Sequence, residues 1–213
     1  MGMDISWGRV TLVGAGPGDA ELLTLKAARV LAQARLVLYD NLVSPEVMAH
    51  IGAGAELIAI DADGNLPEGG WETLAAAHAI ILGSPTYMAG PSWQFKKFAD
   101  ASSKPWFSQA WKDKLFAGFT NSAGTNGDKQ VTLDYLFHLA MQHGGIWVGN
   151  GMMPANSKAA TRNDVNWIGS YSGAMAQSPS DASAAEMFPG DLETGRRLGQ
   201  RVAQIAARLV LPV

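Results

Sequence analysis

The sequence has no cysteine, few charges and no long apolar run, and each absence excludes a class of function. Without cysteine there can be no disulfide, no thiolate metal site and no thiol catalysis. Charged residues make up 16% of the 213 residues, and the net charge of −3 comes with scattered lysines and arginines. Neither nucleic acid nor an anionic membrane is therefore an expected partner. Because no apolar run could span a membrane and no secretory leader opens the sequence, we expect a cytoplasmic protein.

Apolar residues, at 47% of the chain, are numerous enough to form the core of one α/β domain. In the first 60 residues three short apolar runs alternate with helical patterns, at 10–13, 36–39 and 55–60. This β-α-β-α-β order predicts parallel strands joined by right-handed crossovers. We expect a single domain over residues 1–213, with helices on both faces of a parallel sheet.

The stretch from Ala79 to Phe98 predicts a buried strand, a turn rich in proline and glycine, and an amphipathic helix. Ligands in an open parallel sheet bind outside the carboxyl ends of the strands. We therefore expect one wall of a binding site in the residues after this strand, which are Pro85, Thr86, Tyr87, Met88, Ala89 and Gly90.

A second candidate loop follows the next predicted strand, Leu115–Phe119. Its position at a strand end favours a functional role over that of a mobile connection. The loop consists of Asn121, Ser122, Ala123, Gly124, Thr125, Asn126 and Gly127. Beyond it we predict a helix over 129–143, a strand over 146–148, an irregular excursion over 150–190 and a helix over 192–209.

Composition changes at the polar segment 61–70, which is rich in glycine and proline. One of the seven tryptophans precedes this segment and six follow it. We place a seam between two differently built fragments near residue 60, and we predict a short helix over 71–77 just beyond it.

Residues 10–60 carry V-G-A-G-P-G-D at 13–19, L-L-T-L-K-A at 22–27 and L-Y-D-N-L-V-S at 38–44. In these motifs the fragment resembles the start of the uroporphyrinogen-III C-methyltransferases, which are tetrapyrrole methylases that use S-adenosylmethionine. That family usually has arginine after the aspartate, where this chain has Asn41, so no role in substrate chemistry passes to Asp40. The family's later methyl-donor loops and second domain have no counterpart here. We therefore expect no binding of S-adenosylmethionine.

From about residue 61 to 209 the sequence instead resembles the flavodoxin-like NAD(P)H:quinone oxidoreductases, which bind FMN. The matching motifs are G-S-P-T-Y-M at 83–88, W-Q-F at 93–95, T-N-S at 120–122 and H-G-G at 143–145. The resemblance implies a doubly wound parallel sheet of strand order 2-1-3-4-5, with room for one extra edge strand. It also implies that both candidate loops hold the flavin ring and ribityl chain, and that His143 lies near the ring.

The family's Ser/Thr-rich loop, which grips the FMN phosphate, is missing from this sequence. At the equivalent place Gly16 and Gly18 offer backbone amides, but Asp19 and Glu21 occupy the first turn of the following predicted helix. Carboxylates there would compete for the free amides and repel a phosphate dianion. We expect the ring site to be retained and FMN to bind weakly.

Other interpretations of the same residues remain open. Gly14-x-Gly16 after a strand is weak evidence for a Rossmann NAD site, because Asp19 stands at the third glycine position. The four histidines lack metal-ligand spacing, so no metal site is expected. His143 is equally consistent with a cation placed at the end of its helix. Trp93, Trp106 and Trp111 are most often core or interface residues.

Together these observations favour a chimera, engineered from a methyltransferase fragment and a flavodoxin-like remainder. Its expected activity is weakened FMN binding, with NAD(P)H:quinone oxidoreduction impaired or absent. The flavin would supply the chemistry, so we assign no catalytic acid or base. The alternatives are a stable scaffold without cofactor and, less favoured, a tetrapyrrole methyltransferase.

Overall fold

The computed structural model describes residues 36–40, 56–183 and 186–210. In chain order the strands are β1 (Leu36–Asp40), β2 (Glu56–Ile60), β3 (Ala79–Tyr87), β4 (Gly90–Pro91), β5 (Leu115–Ser122), β6 (Ile146–Trp147) and β7 (Ala174–Gln177). The helices are α1 (Gly70–Ala76), α2 (Trp93–Ala101), α3 (Ser103–Phe107), α4 (Lys129–Gln142) and α5 (Pro189–Val210).

The longest strand pairing joins β3 to β5 in parallel, with register from Ala79 opposite Leu115 to Pro85 opposite Asn121. β1 and β2 also pair in parallel, in a separate two-stranded sheet. Ile60, at the end of β2, packs against the same apolar core as β3. The predicted strand over 10–13 lies outside the described residues.

The far edge of the sheet is formed by two separate short strands. β6 pairs with the start of β5 at Leu115 and Phe116, whereas β7 pairs with its end from Phe119 to Ser122, both in parallel. Residues 148–173 leave the sheet between the two halves and return to it. The carboxyl end of β5 therefore has a neighbour on each side.

Side chains alternate between the two faces of the sheet, and each face has its own core. Ile80 and Leu82 of β3 pack with residues of α2 and α4 on one face. Ala79 and Ile81 point to the other face, where Leu198 and Val202 of α5 are completely buried. This period of two confirms the prediction of helices on both faces of a parallel sheet.

The predicted helices over 71–77, 129–143 and 192–209 are confirmed within one to three residues, and the amphipathic helix predicted after the proline- and glycine-rich turn is α2. Ser92 caps α2, since its hydroxyl accepts from the Phe95 amide at 3.3 Å. Three elements were not predicted: α3, the short strand β4, and β7 inside the expected irregular excursion. No helix in the described ranges is long and apolar enough to cross a membrane.

Candidate functional site

The two candidate loops lie side by side at the carboxyl edge of the sheet. Pro85 and Asn121 are direct register partners in the parallel β3–β5 pair. Each loop begins where its strand reaches this edge, as the rule for parallel sheets requires. The structure thus brings together the two segments that the sequence singled out.

The first segment is a β-hairpin rather than an open loop. β3 continues to Tyr87, and Thr86 and Tyr87 pair with β4 in antiparallel fashion. Met88 and Ala89 form the turn with φ angles of 48° and 60°, in the left-handed region that two-residue hairpins use. The prediction of a loop over 85–87 is corrected accordingly.

The hairpin presents a large apolar surface to solvent. Tyr87, Met88 and Trp93 are 72%, 88% and 60% exposed. They border an open groove of about 610 Å³. Its lining also includes Gly90, Pro91, Lys96, Lys97 and Asp100. Flat aromatic faces at a sheet edge suit stacking against a planar ring system.

Thr86, one of the predicted ligand-binding residues, turns its hydroxyl inward. Its Oγ1 is 2.8 Å from Thr120 Oγ1 and 2.7 Å from Thr132 Oγ1, and both of these partners are buried. The three hydroxyls tie the hairpin to β5 and α4. Thr86 therefore contributes to the site by fixing the hairpin, while its hydroxyl is engaged within the protein.

The second segment, from Asn121 to Gly127, is fixed mostly through its backbone carbonyls. Gln177 Nε2 donates to Ala123 O at 2.8 Å, and Ser122 Oγ donates to Gly124 O at 3.3 Å. The side chain of Asn121 contacts Ser178 Oγ at 3.3 Å. Gly127 has φ of +54°, and a Cβ there would lie 2.1 Å from Ser122 Oγ, so the turn requires glycine.

Backbone amides in this loop remain available to a ligand. The amides of Thr125, Asn126 and Gly127 donate no hydrogen bond to any part of the chain that the structure describes. Consecutive free amides form a cradle for electron-rich oxygen or nitrogen atoms. Together with the apolar hairpin, the edge offers a stacking surface and a row of donors.

His143 does not lie at this edge. α4 begins beside the second loop and ends at the opposite edge, where β6 begins next to Leu115. The ring is 2% exposed, its Nε2 is 2.9 Å from Ser102 Oγ, and it packs 4.3 Å from the Trp111 ring. Burial lowers the pKa of His143 to about 4. Within this chain His143 therefore lies apart from the two loops, and its position near a flavin ring stays a prediction.

Trp111 is completely buried and stacks with Trp71 and Phe98, which agrees with the expected core role.

The remaining predicted cofactor contacts, Gly16 and Gly18, lie outside the described residues, and so does Asp19. Within 56–183 and 186–210, no group of three His, Asp or Glu side chains is placed to hold a metal ion.

Two family models match different parts of the sequence. The model for tetrapyrrole (corrin/porphyrin) methylases matches residues 9–83, and the model for NADPH-dependent FMN reductase matches residues 70–160. A relative of the first kind is a uroporphyrinogen-III C-methyltransferase from Cyanidium caldarium, to which the chain is 58% identical over 52 residues. The chain covers only 21% of that relative. The chimera-like architecture expected from the sequence is thereby supported.

The match that decides the family is to Flavodoxin FldP of Pseudomonas aeruginosa, 54% identical over 158 residues. It covers 74% of this chain and 86% of that relative. This chain belongs to the flavodoxin-like family.

Two further flavodoxin-like relatives agree with this assignment. The NAD(P)H dehydrogenase (quinone) of Trichlorobacter lovleyi is 31% identical over 176 residues, and the match covers 83% of each chain. The crystal structure of a flavodoxin, WrbA-like protein from Agrobacterium tumefaciens is 52% identical, with a TM-score of 0.60. It covers 81% of this chain and 96% of that one. The predicted flavodoxin-like α/β fold is therefore confirmed.

FMN binding is what this family implies, and the described edge fits a flavin. A flavin has a flat tricyclic ring with an apolar benzenoid end and a pyrimidine end rich in hydrogen-bond acceptors. The exposed hairpin side chains Tyr87 and Trp93 suit the flat face. The three free amides of the second loop suit the acceptor-rich end. The sequence analysis did not identify Lys129 and Gln177, whose side chains donate hydrogen bonds to loop carbonyls.

Proposed function

We propose that this protein binds FMN at the carboxyl edge of its sheet and holds the ring more securely than the phosphate. The observation that carries this proposal is the adjacency of the apolar hairpin and the free-amide loop across the β3–β5 pair. The hairpin would stack on the ring, and the amides of Thr125, Asn126 and Gly127 would face its acceptor edge.

The flavin, when bound, would supply hydride transfer between NAD(P)H and a quinone. The chain's own residues would bind and orient the ring and shield one face of it from water. Activity therefore depends on how firmly the flavin stays, and we propose that it is weak or absent without added FMN. We further propose that the chain is an engineered fusion that folds as one domain with its seam near residue 60. S-adenosylmethionine would not bind, because the fragment matches only a fifth of a methyltransferase.

The proposed weakness lies at the phosphate, and a double variant tests it. Replacing Asp19 and Glu21 with serine removes two repelling carboxylates and adds hydroxyl donors. The affinity for FMN should rise at least tenfold, which is about 1.4 kcal/mol, whereas riboflavin, which lacks the phosphate, should bind as before. Fluorescence titration of both ligands measures this. Equal changes for the two ligands would show that residues 19 and 21 do not face the phosphate.

The ring half of the site is tested by Gly127→Ala. The substitution strains a left-handed φ of +54° and forces a Cβ against Ser122 Oγ, so the free-amide loop must change shape. FMN and riboflavin should both bind at least tenfold more weakly. Gly69→Ala is the matched control, because φ there is +78° and a Cβ meets no atom within 4 Å. If Gly127→Ala leaves riboflavin binding unchanged, the loop does not hold the ring.

A further inference from the structure

The ammonium group of Lys129 lies beneath the free-amide loop, in a position that is costly for a charge. Lys129 is completely buried, although lysine is among the residues that are most rarely buried. It is also the first residue of α4, whose N-terminus carries a partial positive charge, and the first turn of α4 contains no acidic residue. Burial and the helix dipole therefore both oppose the cation.

Three loop carbonyls compensate for this cost. Lys129 Nζ donates to Gly124 O, to Thr125 O at 3.0 Å and to Asn126 O at 3.4 Å. An ammonium has three donors and no acceptor, so these contacts use its full capacity. Asp191 stabilises the charge electrostatically and Arg162 opposes it. The net effect of burial is to lower the pKa of Lys129, while the three carbonyls hold the ammonium in place.

Turning these carbonyls inward determines where the neighbouring amides point. In a trans peptide the C=O and the following N–H point in opposite directions. The carbonyls of residues 124, 125 and 126 face Lys129, so the amides of Thr125, Asn126 and Gly127 face away from it. These are the same three amides that have no acceptor within the described chain. The buried cation thus accounts for the orientation of these three donors.

We propose that Lys129 is a positioning residue of the flavin site, whose ammonium orients the loop over 124–127 so that three consecutive amides face the acceptor edge of the ring. This inference rests on the proposed flavin binding. It assigns the preorganisation of the loop to one side chain that makes no ligand contact itself. Without the ammonium, Thr125 O loses its donor, Gly124 O keeps only Ser122 Oγ at 3.3 Å, and Asn126 O keeps only the Lys129 amide at 3.3 Å. The loop is then less constrained and its carbonyls can rotate toward solvent.

Lys129→Met tests the inference, because methionine fills similar space without the charge. Riboflavin is the ligand, since it reports on the ring half alone. Its affinity should fall at least tenfold at a temperature well below the melting temperature of the variant. Leu133→Ala is the matched control: it lies one turn along the same helix and is equally buried, and its aliphatic side chain cannot donate a hydrogen bond to a loop carbonyl. It should lower the melting temperature and leave riboflavin affinity within twofold.

The absence of cysteine allows a chemical rescue at the same position. Lys129→Cys can be alkylated in denaturant with 2-bromoethylamine, which rebuilds a lysine-like ammonium, or with iodoacetamide, which adds a neutral amide. After refolding, only the aminoethylated protein should recover riboflavin affinity to within threefold of wild type. Equal recovery with both reagents, or wild-type affinity in Lys129→Met, would overturn the positioning role.

A measurement on the wild-type protein needs no variant to fold. Amide hydrogen exchange should be fast at Thr125, Asn126 and Gly127 in the free protein and slower once riboflavin is bound. Absence of added protection at these three amides would also overturn the inference. A wild-type protein that binds neither riboflavin nor FMN would instead refute the proposed function, and this inference with it.

Discussion

Asp191→Asn should lower the free energy of unfolding by about 3 kcal/mol, because it leaves the partly buried guanidinium of Arg162, whose side chain is 18% exposed, without its counter-charge. Both carboxylate oxygens of Asp191 accept from Arg162, and Oδ2 also accepts from the Gln177 amide at 2.8 Å. The Asp191 side chain is 1% exposed. Arg162 lies between the rings of Phe188, at 3.9 Å, and Trp167, at 5.1 Å. The Arg162 Nε has no partner among the described residues.

Glu193→Gln provides a matched control on the same helix. Glu193 pairs with Arg196 and Arg197, but its side chain is 28% exposed, and surface pairs contribute about 0–1 kcal/mol. Urea unfolding at neutral pH measures both variants. A loss for Asp191→Asn no larger than that for Glu193→Gln would show that solvent reaches the Arg162–Asp191 pair.

This pair also connects the C-terminal helix to the candidate site. The Asp191 carboxylate accepts a hydrogen bond from the backbone amide of Gln177. Gln177 is the last residue of β7 and is the register partner of Ser122 at the end of β5. The Gln177 side chain in turn donates to the carbonyl of Ala123 in the second candidate loop, residues 121–127. Residues 148–173, which leave the sheet after β6, therefore return to it beside the second candidate loop.

The core elements could be predicted because their patterns are local. The apolar runs at 79–84 and 115–119 and the helical periodicity after Ser92 each identify an element from consecutive residues. The adjacency of Pro85 and Asn121 followed from the rule that parallel strands end at one edge. The fold class and the adjacency of the two candidate loops were thus accessible from the sequence.

Elements that depend on distant partners were missed. β7 is Ala-Met-Ala-Gln, a sequence with little intrinsic strand preference, and it is a strand because β5 offers it a free edge. The hairpin turn at Met88 and Ala89 lacks the Asn-Gly or Asp-Gly signal. Lys129 at a helix start has the pattern of a solvated side chain. Its burial depends on loop carbonyls that only the folded chain assembles.

The placement of His143 was also outside the reach of local pattern. At the end of α4 a protonated histidine would be favoured by the helix dipole. Instead, Trp111 and Ser102 enclose the ring. The Ser102 hydroxyl donates to Ala99 O at 2.6 Å, so it accepts from the His143 Nε2–H. Nδ1 is buried and has no hydrogen-bond partner in the described part of the chain, so adding a proton there would create a buried donor without an acceptor among those residues.

Acid should therefore destabilise the wild-type protein through His143. Its pKa is about 4 in the folded chain and 6.5 as the reference value for the unfolded chain. As pH falls below 6.5 the unfolded state takes up a proton that the folded state does not, so stability is lost between pH 6.5 and 4. The shift corresponds to about 3 kcal/mol across that window. Well above pH 6.5, where histidine is neutral in both states, His143 should contribute no pH dependence.

His143→Gln should remove this contribution, since glutamine can still donate to Ser102 but does not titrate. The variant's free energy of unfolding, measured with urea at several pH values, should fall by about 3 kcal/mol less than that of wild type between pH 6.5 and 4. Its absolute stability does not enter the comparison, because only the pH slope is used. Parallel curves for His143→Gln and wild type would mean that water reaches Nδ1 and that His143 titrates near its ordinary pKa.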